Sequence, residues 1–493
     1  MRLSVLLESL DYEIVGVQDS ANLQIAKLAF DSKEVCNDCL FFCLKGRNFD
    51  GHNFANTALK KGAVAIVVER VLDIDIPQIV VQDTRSALSI VSANFYANPS
   101  NRLKIIGITG TNGKTTTSYM LSSILRACGK KVGIIGTLGV RYDSENGEIY
   151  LPSDLTTPDP IFLQETLAKM RLNGVEYIVM EVSAHALYYN KMDGVNFVAC
   201  IFTNFTQDHL DFFETMTAYK KAKSQLFTPN RCSLAILNGD DETGREFGKT
   251  RENGKETTLY YGLHTPTDAF AIITDERLDG TECVFNINDA VARAFISLTG
   301  RHNLYNALAS ITCAVALGVP IEQGVLGFGN LQRVDGRLER LGKVNGADIF
   351  VDFAHTPDGL EQSLSALKKY AVGRLICLFG CGGNRDKTKR AVMGATVAKK
   401  CDFAVLTSDN PRFEDPLDII AEIERGYRRF STKYVVVPDR KKAIEYAIGA
   451  LRAGDILLVA GKGGEKYQEI MGIKYPFCDN DIIEKIIQKE EPF

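Results

Sequence analysis

Residues 107–117 read Gly-Ile-Thr-Gly-Thr-Asn-Gly-Lys-Thr-Thr-Thr, between the apolar run Leu103–Ile108 and a helical stretch from Ser118 to Ala127. Glycines at the hand-over from strand to helix form a phosphate cradle. Gly110 and Gly113 let backbone N–H groups close on a polyphosphate, the helix N-terminus adds partial positive charge, and Lys114 neutralises terminal oxygens. Thr115 is placed to ligate magnesium, with Thr111, Asn112 and Thr116 completing the loop. Strict phosphate-loop spacing asks for glycine at 108, where this chain has Ile108 and carries Gly107 one place early. The loop therefore predicts a nucleoside-triphosphate site on a strand–loop–helix unit.

A chain of 493 residues exceeds what one hydrophobic core organises, and implies roughly two to four domains. Charged residues at 24% and a net charge of −4 give no basic surface for nucleic acid, and no run of about 18 apolar residues implies a membrane span. Glu8 and Asp11 interrupt the start of the chain before a signal-peptide core forms, so a cytoplasmic protein is expected. The cysteines, such as Cys200, Cys313 and Cys377, fall singly on apolar segments and read as reduced buried thiols. Cys36, Cys39 and Cys43 include a Cys-x-x-Cys, but no second pair with metal-ligand spacing accompanies it.

Composition shifts mark three blocks, 1–100, 101–336 and 337–493, all of α/β type. The first carries strand-like runs at Leu40–Leu44, Ala63–Val68 and Gln78–Val81, then a helix from Thr84 to Ala97. The second alternates apolar runs with helices, which predicts a parallel sheet covered by helices around the phosphate loop; residues 255–300 read as an antiparallel patch. Asp335-Gly336-Arg337 marks the next boundary. Beyond it the alternation resumes through Asp348–Phe353, Arg374–Phe379, Phe403–Thr407, Tyr434–Val437 and Asp455–Ala460, as in a Rossmann-like doubly wound domain.

Several strand ends carry chemistry. Tyr177–Glu181 is a buried-type strand ending on a carboxylate, which makes Glu181 a magnesium-side acid. Asp208, His209 and Asp211 crowd the end of another, and His209 offers an imidazole to a cation, a structural turn histidine being the alternative. His185, His209, His302 and His355 all fall in polar segments, a distribution that favours a functional site over core filling. His302, Asn303 and Asn306 suit a purine edge or a magnesium-bound phosphate, with helix capping by Asn303 as the alternative. Phe379–Asp386 looks like a dinucleotide loop, but Arg385 stands where the third glycine belongs, so an anion-binding loop with a charged arm fits better. Ser408–Arg412 and Gly461–Glu465 both lie beyond carboxyl ends of strands, where open α/β sheets bind ligands.

In this order, these motifs resemble the Mur ligase family along nearly the whole chain. The resemblance implies three domains, for the UDP end of the substrate, for ATP, and for an incoming amino acid, and a monomer using ATP and Mg2+. It implies a reaction in which ATP phosphorylates the γ-carboxylate of UDP-N-acetylmuramoyl-L-alanyl-D-glutamate, and the acyl phosphate is attacked by the amino group of a diamino acid. Carried over by position, Phe30, Ser32 and Arg47-Asn48-Phe49 contact the UDP end, while Thr156, Thr157, Ser183 and Lys191 contact the muramoyl-dipeptide. The chain departs from the family at Lys191 and Lys33, where arginine is usual, at Ala184, where serine is usual, and at Gly464, where histidine is common. Lys223 matches a lysine that the family carbamylates. A carbamate converts its cation into an anion, so Lys223 is expected to join Thr115, Glu181 and His209 as a magnesium ligand.

Asp409-Asn410-Pro411-Arg412 resembles the signature of the branch that adds meso-diaminopimelate, which lysine-adding relatives lack. That amino acid has a far carboxylate absent from lysine, and the planar guanidinium of Arg412 binds it bidentately. Arg385, Gly461 and Glu465 match further amino-acid contacts. The rival readings are the L-lysine-adding ligase, folylpolyglutamate synthetase and a catalytically silent ATP-binding scaffold. A GTPase is suggested by Asn190-Lys191-Met192-Asp193, but no Asp-x-x-Gly lies between Lys114 and Asn190.

Overall fold

The computed structural model describes residues 1–16, 20–46, 49–252 and 254–490. They form two compact units. The first holds Met1–Gly107, Lys130–Cys200 and Ala222–Ser233; the second holds Ile108–Gly129, Ile201–Lys221 and Leu234–Phe493.

In the first unit a five-stranded sheet runs in the order Glu13–Val15, Gln78–Val80, Ala63–Val68, Cys39–Phe42, Lys27–Ala29. Its strands are parallel except Glu13–Val15, which pairs antiparallel with Gln78–Val80. Successive side chains of a strand point to opposite faces. Accordingly Leu40 and Phe42 enter one core with Leu88 and Val91 of the helix Thr84–Phe95, while Cys39 and Phe41 enter another with Ala55 and Ala58. Both faces are covered, so these strands read as continuous apolar runs. Asp83 caps the helix, accepting from the amides of Arg85 and Ser86 at 2.7 and 3.2 Å. Further along, Val132–Gly136 and Tyr177–Glu181 pair in parallel. Gly139–Ser144 and Gly147–Leu151 add a hairpin that the expected alternation did not include.

In the second unit Thr257–Gly262 lies parallel to both Leu234–Asn238 and Ala269–Arg277; only from there do Gly280–Ile287 and Ala290–Ile296 continue as an antiparallel meander. The antiparallel reading of 255–300 thus holds from Ala269 onwards. A period of two shows a strand but not its partner's direction.

From Glu339 a six-stranded sheet runs Glu339–Val344, Ala347–Asp352, Ile456–Ala460, Leu375–Phe379, Phe403–Leu406, Tyr434–Val436, parallel except its first edge. Leu360, Leu364, Met393, Val397, Ile419 and Ile423 cover one face, and Ala443, Ile444, Ile448 and Ile483 the other. This is the doubly wound arrangement expected, in which ligand loops follow the carboxyl ends of strands.

Asp240 ties the meander to the helix Arg301–Ala316. Its carboxylate accepts from the amides of Leu263 and Thr265 at 2.6 and 2.8 Å and from the Tyr305 hydroxyl at 2.7 Å. Burial raises this carboxyl, but the donors outweigh it and bring it from 3.8 to about 2. A carboxylate depressed in the folded state contributes its full stabilisation above the unfolded value, and loses it as pH falls through the folded one. Asp240→Asn is therefore expected to flatten the loss of stability between pH 3.8 and about 2, measured by urea melts across that range.

Candidate active site

The phosphate loop lies in the second unit, between the end of the strand Lys104–Thr109 and the helix Lys114–Ala127. The helix starts four residues before the expected Ser118. Its N-cap is Gly113, with φ +86° and no side-chain cap, so the first-turn amides are directed at the loop. Asn204 shapes the loop by accepting from the Thr111 amide through its carbonyl and from the Asn112 amide through Oδ1, both at 2.9 Å. A Cβ on Gly110 would overlap Thr203 Oγ1, which is why a side chain is excluded there. Lys114 Nζ bends back to the carbonyls of Gly110 and Thr111, at 2.9 Å each. The hydroxyl of Thr115 accepts from Arg337 Nη2 at 2.9 Å. An ammonium, a guanidinium and a helix N-terminus around one loop suit a polyphosphate, so the residues fit the nucleotide. Magnesium at Thr115 requires Arg337 to release that hydroxyl, because two cations cannot share one small oxygen without repulsion.

The helix bearing His302, Asn303 and Asn306 starts at Arg301, with Gly300 as N-cap. Asn303 is therefore inside the first turn rather than the cap, and its Nδ2 donates to the Thr299 carbonyl at 2.9 Å. Asn306 donates to Asn303 Oδ1 at 3.1 Å and accepts from Thr117 at 3.3 Å, which links this helix to the phosphate-loop helix. Burial pushes the His302 imidazole below its ordinary value against the pull of Asp352 and Asp358. The side chain is half-buried at the start of its helix, with those two carboxylates nearby.

His209 precedes the short helix Leu210–Phe213 in the left-handed region, φ +56°. Its Nε2 lies 3.3 Å from Asp208, which also faces His355 at 3.7 Å and Lys389 at 3.4 Å. Burial raises the Asp208 carboxyl, but the hydrogen bond from His355 and the charge of Lys389 outweigh it and hold it well below the usual carboxylate range. Among the described residues no group of three or more His, Cys, Asp or Glu forms a metal cage. Magnesium held by one or two carboxylates and substrate phosphates needs none.

The loops Asp409–Arg412 and Gly461–Glu465 follow the carboxyl ends of Phe403–Leu406 and Ile456–Ala460. The buried Lys462 donates to Asn410 Oδ1 at 3.0 Å and to Glu465 at 2.8 Å, and Asn410 Nδ2 donates to Glu465 at 2.9 Å. Burial raises the Asp409 carboxyl, but Lys462 and Arg440 bring it below its ordinary value. Gly461, φ +113°, leaves room for that carboxylate. Pro411 is buried. Arg412, φ +51°, donates through Nε to Glu469 at 2.9 Å and through Nη1 to the Gly383 carbonyl at 2.8 Å. Arg385 stands exposed in the facing loop.

In the first unit Glu181 is buried at the end of its strand and accepts from the amide and hydroxyl of Thr137, both at 3.0 Å. Thr156 meets the same Thr137 hydroxyl at 3.1 Å. Thr157 donates to the Glu181 carbonyl at 3.0 Å and to Ser183 Oγ at 3.2 Å, and Ser183 caps the helix Ala184–Tyr188. Lys191 pairs with Asp159 at 2.7 Å. Lys223 is fully buried, unlike a solvated helix lysine. Phe30 packs on the N-terminal core, Ser32 is half-buried, Lys33 and Phe49 are exposed, and Arg47 and Asn48 lie outside the described residues. The residues of the GTPase-like string have structural partners: Asn190 donates to Asp83 at 2.8 Å, and Asp193 accepts from Ser86 at 2.6 Å and Arg231 at 2.7 Å. Burial pushes the Cys39 thiol to about 11 and Cys43 to about 12, away from the thiolate that metal binding needs.

Three family descriptions match in chain order: "Mur ligase family, catalytic domain" over residues 24–99, "Mur ligase middle domain" over 108–314, and "Mur ligase, glutamate ligase domain" over 336–463. The chain belongs to the Mur ligase family. Its three-domain α/β architecture is that of the family. It is 39% identical over 495 residues to the UDP-N-acetylmuramoyl-L-alanyl-D-glutamate--2,6-diaminopimelate ligase of Caldanaerobacter subterraneus subsp. tengcongensis, covering 100% of both chains. The corresponding ligase 1 of Clostridium acetobutylicum is 40% identical, with 99% of this chain and 100% of that one covered. A solved structure of a UDP-N-acetylmuramoyl-L-alanyl-D-glutamate--2,6-diaminopimelate ligase superposes with a TM-score of 0.68 at 29% identity, over 96% of this chain and 97% of that one. An ADP complex of MurF ligase from Thermotoga maritima shares the fold, with a TM-score of 0.62 at 20% identity over 95% and 98% of the two chains.

Arg337, Lys389, Lys462 and Glu469 were not among the sequence candidates. Only Lys462 carries a visible signal, a lysine inside a glycine-rich loop after the strand Ile456–Ala460; Arg337, between a helix and a strand, and Lys389 and Glu469 carry none. A Cβ on Gly136 would overlap the Glu181 carboxylate. Gly136→Ala should therefore destabilise the fold by about 1–3 kcal/mol, and should cost much less in a Glu181→Ala background. A double-mutant cycle by urea denaturation checks this coupling.

Proposed function

We propose that this chain is an ATP-dependent ligase that joins meso-2,6-diaminopimelate to the D-glutamate γ-carboxylate of UDP-N-acetylmuramoyl-L-alanyl-D-glutamate, in building the peptidoglycan precursor. The observation that carries the choice of amino acid is Arg412. Its side chain is only 18% exposed, and two of its three nitrogens are held by the protein while Nη2 is left for a ligand. Lysine has no far carboxylate to meet Nη2, so a lysine substrate would leave that donor without a partner in the site. The folylpolyglutamate synthases that share the fold do so at 16–17% identity, which speaks to architecture alone.

The roles follow unit by unit. In the second, Gly110–Thr116 and the helix carrying His302, Asn303 and Asn306 take ATP, with Lys114 on the terminal phosphate. Arg385, Asp409–Arg412, Gly461 and Glu465 take diaminopimelate, with Arg412 on its far carboxylate and Glu465 pairing with the ammonium beside it. In the first, Phe30, Ser32 and the segment Arg47–Phe49 serve the UDP end, and Thr156, Thr157, Ser183 and Lys191 the muramoyl-dipeptide. Lys191 meets an anion as a point charge, without an arginine's fork. Thr115 and His209 in the second unit, and Glu181 and a carbamylated Lys223 in the first, would serve as magnesium ligands, and the metal would supply charge stabilisation for the transferring phosphoryl group. Full burial sets Lys223 apart from a solvated helix lysine, which supports a special role, and a carbamate would turn its cation into an anion able to bind the metal.

The domain limits that suit these roles are 1–100, 101–336 and 337–493. We read the protein as a cytoplasmic monomer acting on small molecules, with no nucleic-acid or membrane partner. The net charge of −4 supports this, and no helix among the described residues is long and apolar enough to cross a membrane.

A phosphate-release assay with UDP-N-acetylmuramoyl-L-alanyl-D-glutamate should respond to meso-diaminopimelate and not to L-lysine; equal rates would sink the assignment. Arg412→Ala should raise the KM for diaminopimelate by about 100-fold while sparing the KM for ATP. Lys223→Ala should abolish turnover, with partial recovery on adding short carboxylates that replace the carbamate oxygens. A mutant inert to such rescue would count against carbamylation.

A further inference from the structure

We propose that Glu469 is a positioning residue that sets Arg412 for the choice of amino acid, an inference that rests on reading Arg412 as the group that binds the far carboxylate. Glu469 lies on the strand Tyr467–Ile470, which forms a hairpin with Ile473–Pro476 beyond the Gly461–Glu465 loop. This strand is laid along the Asp409–Arg412 segment by a series of bonds. Gln468 Nε2 donates to the Asp409 carbonyl at 2.7 Å, the Glu469 amide donates to Asn410 Oδ1 at 3.0 Å, and the Arg412 amide donates to the Glu469 carbonyl at 3.0 Å. The Met471 amide closes the series on the Arg412 carbonyl at 2.7 Å. These contacts hold Arg412 in the left-handed backbone region, which costs an arginine strain unless its surroundings fix it.

The side chain adds orientation to that backbone grip. Glu469 Oε2 accepts from Arg412 Nε at 2.9 Å, and Gly383 accepts from Nη1 at 2.8 Å. A Cβ on Gly382 would stand 3.0 Å from Nη1, so the guanidinium lies close against a loop without a side chain there. Held along the Nε edge and at one corner, the plane cannot turn, and the end bearing Nη2 is the part that stays available. A carboxylate approaching there meets donors already aimed, and the long arginine stem loses little further freedom on binding. The positive group also stands between the two carboxylates, which limits their repulsion. With Glu469 removed, the guanidinium keeps its charge but loses its aim.

The test compares Glu469→Ala, Glu469→Gln, Arg412→Ala and the double variant Arg412→Ala/Glu469→Ala in the full-length enzyme, by steady-state phosphate release and thermal melting. Glu469→Ala is expected to raise the KM for diaminopimelate by about ten-fold, with kcat and the KM for ATP within about two-fold. Preference for diaminopimelate over L-lysine should fall by the same factor. Glu469→Gln, whose amide oxygen still accepts from Nε, should restore most of the loss. In the Arg412→Ala background Glu469→Ala should add nothing. If Glu469→Ala leaves the KM for diaminopimelate unchanged or lowers it while Arg412→Ala raises it, this proposal fails and the reading of Arg412 stands. If Arg412→Ala has no effect on that KM, the reading fails and this inference with it. A drop shared equally by kcat and both KM values, unrescued by glutamine, would mean a structural role only and would overturn the proposal.

Discussion

An ion pair without access to water holds the working end of the C-terminal sheet. Arg440, at the start of one helix, donates to Asp479, at the start of another, at 2.9 and 2.7 Å, and both side chains are 0% exposed. Taking two charges out of water costs more than their mutual attraction returns unless their remaining polar atoms are also satisfied. Here they are. Arg440 Nη2 reaches the Ala460 carbonyl at 2.9 Å and Nη1 the Ser408 carbonyl at 3.4 Å. Those carbonyls immediately precede Gly461 and Asp409, the first residues of the two loops proposed to take the amino acid. The pair is thus better understood as a fixture for loop positions than as a source of stability, and Arg440, after Lys462, also helps to lower the Asp409 carboxyl.

The same logic recurs at three of the cations proposed to meet a substrate anion. Lys114 rests on loop carbonyls, Lys191 on Asp159 and Arg412 on Glu469. None of these cations stands bare, so binding exchanges one set of charge-assisted bonds for another. The net gain from such an exchange is modest, typically about 0.5–1.5 kcal/mol for a neutral bond and more for a charged one. Affinity then depends on how many bonds are replaced at once, and selectivity on whether the replacement reaches every donor.

The phosphate loop was legible because its chemistry is local: strand, glycines, lysine and helix lie within one stretch, and the structure alters only the helix start. Buried parallel strands were legible as apolar runs for the same reason. Exposed hairpins were not: Tyr467–Ile470 and Ile473–Pro476 have half-buried or exposed side chains and no apolar run, yet they carry the partner of Arg412. Contacts between distant residues were illegible as well. Thr115 and Arg337 are 222 positions apart, and nothing in either segment names the other. Helix capping by Asn303, the alternative to its place in the nucleotide site, is ruled out only by the structure, because the sequence cannot show that Gly300 ends the preceding loop.

One three-residue segment, Asp335-Gly336-Arg337, shows what such distant contacts accomplish. The sequence marks it only as a boundary. In the structure Gly336, φ +62°, lies so close to Gly463 and Gly464 that any Cβ would overlap their backbone, and its carbonyl accepts from the Phe353 amide at 2.9 Å. The next residue, Arg337, lies over the Phe353 ring at 4.5 Å and reaches the Thr115 hydroxyl. A single turn is therefore clamped to the Gly461–Glu465 loop on one side and bonded to the phosphate loop on the other. Because Gly336 has no freedom to slide against Gly463, Arg337 cannot leave Thr115 by moving the turn alone; its side chain must swing, or the glycine loop must move with it. One turn thus joins the Thr115 hydroxyl to the Gly461–Glu465 loop, through backbone contact on one side and a single arginine on the other.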